Sequence, residues 1–169
     1  MGNVEQRLTL RVLGIWRSLC RGSELPRRSR IDPMLFGPDW ANCMLIDLDP
    51  ALDRSRLAYV GDALRDPNWP PFERQTVSAC EEGTLLHATV SHASRVLAMR
   101  LPISTGGVVT HGGEPVLYRS ILLPLAETDA RIDGLLAAAS FRVVAVSEEI
   151  HSFPDQRNSA PTGNLEAVE

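Results

Sequence analysis

The sequence contains no lysine; all 17 of its basic residues are arginine. That absence excludes a Walker-type phosphate loop, whose lysine reaches the terminal phosphates, and Schiff-base or pyridoxal-phosphate chemistry, which needs an amine. Aromatic residues make up only 5% of the chain, too few for a base-stacking surface, and a net charge of −4 gives no broad attraction for nucleic acid. Three cysteines, Cys20, Cys43 and Cys80, stand far apart without a CxxC pair. They read as reduced thiols, not as a disulfide framework or a zinc site. No apolar run reaches the length of a membrane span, and the N-terminus lacks the apolar core and cleavage site of a secretory signal. The protein is therefore expected to be soluble and cytoplasmic, with neither membrane nor nucleic acid among its partners.

What is present suffices for one domain with flanking segments: 169 residues, 44% of them apolar. Residues 1–22 carry an N-terminal helix, with Leu8, Val12 and Ile15 at helical spacing and Trp16 widening the face. Gly22 and Pro26 end it, and an arginine-rich connector leads to Asp32-Pro33, the N-cap and first position of a short helix. Strands are expected around Cys43–Leu48 and Arg56–Gly61, the second alternating Leu57, Tyr59 and Gly61 against Ala58 and Val60. Residues 79–100, rich in Ala, Leu and Glu and free of Pro, read as one long helix with Leu86, Val90, Ala93 and Leu97 along a face. Three strands follow, in "LPIS", "VLYRSILLPLAE" and "IDGLLAAASFRVVAV", with the glycines of "TGGVVTHGGEP" as turn formers between the first two. Residues 147–169 are polar and aperiodic, the composition of a flexible tail.

Several groups could carry chemistry. "MLIDLDP" has the apolar-run-then-DxD shape of the first motif of haloacid-dehalogenase-type phosphatases, so a small metal-dependent phosphohydrolase using Asp47 and Asp49, with Asp53 nearby, is the alternative enzymatic reading. Of the histidines, His87 and His92 are five residues apart and cannot share a metal from one regular helix, although one alone could ligate haem. His111 reads as a turn residue. Ser104-Thr105-Gly106-Gly107 lacks the strand-to-helix context of a nucleophile elbow. Arg21, Arg27, Arg28 and Arg30 form the densest charge cluster, suited to an acidic partner or an anion, or else to a solvated linker.

Trp16, Arg21-Gly22, Pro26 followed by Arg27 and Arg28, Asp32-Pro33, Gly61 and Leu123-Pro124-Leu125 together resemble the PAS-like domain family common in alphaproteobacteria. The likeness runs from about Trp16 to Val144, and the stretch after the second strand, "GDALRDPNWPP", is shorter than that family's pattern. The resemblance implies an α+β fold for residues 23–146: a five-stranded antiparallel sheet in the order 2-1-5-4-3, with helices on one face and the N-terminal helix outside it. It further implies a stand-alone, non-enzymatic sensory or signalling module that binds a small ligand, a protein partner or both. No cofactor is required by the resemblance, haem being an option. Leu86, Val90 and Leu97 facing Ile121 and Leu123 would line a ligand cavity, or else form an ordinary core. Leu8, Val12, Ile15 and Trp16 would form the interface of a homodimer.

Overall fold

Helix α1 (Asn3–Leu19) ends where Gly22 takes a positive φ of 62° and the chain turns back, Glu24 N donating to the Arg21 carbonyl. The computed structural model describes residues 3–22, 24–67, 75–128 and 131–144, so the tail expected at 147–169 lies outside the described residues. Helix α2 (Pro33–Phe36) starts as the sequence predicts, with the Asp32 carboxylate accepting from Met34 N at 2.9 Å and Pro33 in the first turn.

Five strands follow: β1 (Cys43–Asp47), β2 (Arg56–Val60), β3 (Ile103–His111), β4 (Glu114–Leu125) and β5 (Gly134–Val143). All neighbours are antiparallel, in the order β2-β1-β5-β4-β3. That is the PAS-like order expected from the sequence, and the fold is α+β. Between β2 and β3 lie two short helices, α3 (Leu85–Val90) and α4 (Ala93–Met99).

The sheet is covered on both faces. Met44, Ile46, Leu122, Leu135, Ala137 and Ala139 point toward Leu85, Val90 and Val96 of α3 and α4. Cys43, Leu45, Ile121, Leu123, Leu136 and Ala138 point the other way, toward Leu8, Val12 and Trp16 of α1. Burial on both sides explains why β1 and β5 read as nearly continuous apolar runs and not as alternating strands.

This arrangement corrects two expectations. Leu8, Val12 and Trp16 are 7%, 0% and 6% exposed, so these three residues of the face expected at a dimer interface pack on the chain's own sheet, while Ile15 is only partly buried. Helix α1 thus contributes to the domain's core through Leu8, Val12 and Trp16 instead of standing outside it. Leu86 and Val90 belong to one side of the sheet, Ile121 and Leu123 to the other, so these residues cannot line one cavity. The cause is the two-residue period of β4, which puts Ile121 and Leu123 opposite Leu122.

The single helix expected over 79–100 is broken. Gly83 (φ +83°) and the extended N-cap Thr84, whose hydroxyl accepts from His87 N, set the start of α3. Thr89 Oγ1 and Ser91 Oγ donate back to the Leu85 and Ala88 carbonyls, and His92 leaves helical geometry before α4 begins. Hydroxyls that hydrogen-bond the preceding turn weaken a short helix and favour a break.

The glycines of "TGGVVTHGGEP" divide differently from expectation. Gly112 and Gly113, both at positive φ, make the two-residue hairpin turn, while Gly106 and Gly107 lie inside β3. A Cβ on Gly106 would come within 2.8 Å of Arg119 Cδ and 2.9 Å of the Tyr118 carbonyl, so close packing on β4 explains the missing side chain. In β2 the pairing passes from Leu45↔Tyr59 to Ile46↔Leu57, leaving Ala58 as the extra residue of a bulge. The bulge breaks the expected alternation: Leu57 and Val60 share the α3–α4 side, and Tyr59 stacks on Trp40 at the other.

Candidate functional site

Two clefts open along the α3–α4 layer. The first, about 440 Å³, lies beside α3, where Leu52 and Val77 from short 3-10 turns meet Val90. Asp53, Ser78, His87 and Ser91 stand around it, with Cys80 at its wall. Its walls are apolar and its rim is polar. The segment that forms its far side is pinned to the free edge of β2: Leu57 N donates to the Gln75 carbonyl and Val77 N to the Ser55 carbonyl.

A second cleft of about 320 Å³ sits at the end of α4, between Leu48, Asp49, Leu97, Arg100, Arg131 and Ile132. Arg100 closes α4 in the left-handed conformation, φ 53° and ψ 31°, its amide donating to the Val96 carbonyl. Of the residues expected to line one cavity, Val90 borders the first cleft, Leu97 the second, and Leu86 is only 4% exposed in the core between helix and sheet. Sequence reasoning missed Leu52, Val77 and Ser78, because their place beside α3 comes from edge pairing on β2 and not from any local periodicity.

The carboxylates of the alternative reading do not converge. Asp47, exposed at the end of β1, accepts from Arg28 Nε at 3.3 Å. Asp49 caps Ala51 N at 2.9 Å and pairs with Arg54. Asp53 lies in the following 3-10 turn, beside the first cleft. Among the described residues no three His, Cys, Asp or Glu side chains gather as metal ligands. Of the pair that looked like an active site from its spacing, Asp47 ends β1 and Asp49 caps the turn to β2.

Burial decides the thiols. It pushes Cys43 up to about 12 and Cys80 to about 11, and it also raises Cys20, against a small opposing pull from Arg17. His111 is held below its ordinary value by burial, with the nearby Asp66 acting in the opposite sense, and its ring meets Phe141 edge-on at 4.5 Å. His87 borders an open cleft shared with Asp53, Ser78 and Ser91, not an enclosed apolar cavity. These residues do not fit haem, whose proximal histidine works within a shielded pocket.

The arginine cluster splits. Arg28 turns to Asp47, whereas Arg21, Arg27 and Arg30 line one recess of about 100 Å³ with Leu19, Leu25 and Glu24. On the opposite side of the molecule from α3, a groove of about 630 Å³ runs between α1 and α2, with Gly14, Ile15, Leu35 and Phe36 along it.

No helix among the described residues is long and apolar enough to cross a membrane. No family model matches the sequence, and no curated protein matches it. Among solved structures, a fungal LOV domain photoreceptor is similar to this chain at 12% identity and a TM-score of 0.33, over 80% of this chain and 89% of that one.

Proposed function

We propose that the chain is a non-enzymatic PAS-like sensory module of the kind its sequence resembles, binding a small molecule in the cleft beside α3. The observation that carries this reading is that cleft's construction: Leu52, Val77 and Val90 as apolar walls, and Asp53, Ser78, His87 and Ser91 as polar groups able to orient a ligand. It lies on the α3–α4 side of a sheet in PAS-like strand order, where occupancy bears directly on α3.

Ser78 and Ser91 are exposed at the rim, so Ser78→Trp and Ser91→Trp fill the cleft without disturbing the core. Native mass spectrometry of the purified protein is expected to find a small molecule that both variants lose. Purified protein free of small molecules, with no thermal shift across a metabolite panel, would count against the reading. Phosphatase activity abolished by Asp47→Asn would restore the hydrolase alternative in its place.

A protein contact is the second element, and Met34 and Leu35, 87% and 49% exposed beside the α1–α2 groove, favour it. A homodimer built there is dissociated by Leu35→Glu in sedimentation. Val12 has no part in it, being buried on the sheet.

A further inference from the structure

Residues 26–31 of the connector between α1 and α2 are held to the rest of the molecule, and this changes what their arginines can do. Pro26 is buried and its carbonyl accepts from Ala126 N at 3.0 Å. Ser29 binds Glu127 twice, through N to Oε1 at 2.7 Å and through Oγ to Oε2 at 3.2 Å. Arg28 is tied to Asp47, and Ile31 is buried against the α1 side of the sheet. Arg27 and Arg30 stand between these anchors, and Arg21 lines the same recess from the end of α1.

Arg11, Arg28, Arg54 and Arg65 each take a carboxylate partner. Among the described residues, Arg21, Arg27 and Arg30 donate no side-chain hydrogen bond and form no ion pair, although Glu24 lines the same recess. Three unpaired guanidinium forks, two of them on the anchored segment, make a local positive site in a chain of net charge −4. The recess of about 100 Å³ has room for one tetrahedral oxyanion.

We propose that this recess binds inorganic phosphate as its hydrogen-phosphate dianion. Three guanidinium groups and one carboxylate leave two net positive charges for a doubly charged ligand. Glu24 can accept the hydrogen bond of the P–O–H group, a donor that sulfate and a phosphate monoester dianion both lack. The carboxylate therefore selects among anions of equal charge. This inference is independent of the sensory reading and of the cleft beside α3.

Titration calorimetry of the full chain at fixed chloride concentration tests it, with inorganic phosphate, sulfate and phenyl phosphate as separate ligands. Phosphate is expected to bind about tenfold or more tighter than the other two. Arg27→Gln and Arg30→Gln should each weaken it about tenfold, Arg28→Gln should leave it unchanged, and Glu24→Gln should erase the preference over sulfate. Glu24, Arg27 and Arg30 are exposed and Arg28 is partly so, and thermal melts verify that each variant folds. Absence of phosphate binding at millimolar concentration, equal affinity for sulfate, or a loss in Arg28→Gln matching that in Arg27→Gln would overturn the proposal.

Discussion

Trp16 and Pro124, 108 residues apart in sequence, are joined by a 2.9 Å hydrogen bond from the indole Nε1 to the proline carbonyl. Pro124 pairs with Leu135 of β5 after β4 has passed its last pairing with β3, Ile103↔Leu122. A residue without an N–H is tolerated there because no β3 neighbour asks for one. The bond ties α1 to the sheet where β4 loses its outer neighbour.

Trp16→Phe removes the donor and leaves a buried carbonyl without its partner, a loss of roughly 1–3 kcal/mol, with a small cavity adding to it. Urea denaturation should register the change as a lower midpoint with an unchanged slope. An unaltered midpoint would refute the role given to this bond.

Two glycines should respond in opposite directions to the same substitution. A Cβ on Gly61 would collide with the Ala41 carbonyl and stand 2.8 Å from the Trp40 carbonyl oxygen, both backbone atoms that cannot swing away. Gly61→Ala is expected to cost about 3 kcal/mol or more. Gly14, exposed on α1 with nothing within 4 Å of its Cβ position, should gain about 0.5–1 kcal/mol as alanine. Thermal melts of the pair decide the matter, and equal shifts of one sign would contradict it.

Alkylation should distinguish the thiols. Cys43 and Cys80 are buried and raised to about 12 and about 11, so almost no thiolate forms at pH 8. Cys20, partly exposed at the end of α1, should be labelled first by iodoacetamide in the folded protein, with all three labelled only in denaturant. Early labelling of Cys43 would mean that α1 leaves the sheet readily.

His111 supplies a pH dependence with a definite sign. Its folded value is lowered from the ordinary 6.5, chiefly by burial, so below that point the unfolded chain binds more protons than the folded one. The stability that neutral His111 contributes is present above about pH 6.5 and is lost as pH falls through 6.5 toward the folded value. An NMR titration of its imidazole should give a midpoint below 6.5, and a midpoint above it would reverse the prediction.

The elements legible from sequence were those governed by local chemistry. Apolar spacing marked α1, Asp32 and Pro33 marked the start of α2, and the family resemblance supplied the strand order. What escaped depended on neighbours distant in sequence. The apolar runs of β1 and β5 indicate burial without saying that Cys43 and Met44 face different layers. Arg28 differs from Arg27 only because Asp47 stands across from it. Gly106 looks like a turn former until Arg119 is brought against it. The cleft beside α3 was out of reach for the same reason, its far side being fixed by pairing between residues 75–77 and β2.

Ala137, Ala138 and Ala139 of β5 are wholly buried, the outer two facing α3 and α4 and the middle one facing α1. An alanine has no rotamer to turn, so it cannot absorb displacement by rearranging its side chain. A push on Ala137 or Ala139 must be taken up by the strand's own backbone, and that backbone carries Ala138 against the contact surface of Val12 and Trp16. At these three residues the sheet is a thin partition, with one methyl group per residue between its backbone and the helices on either side.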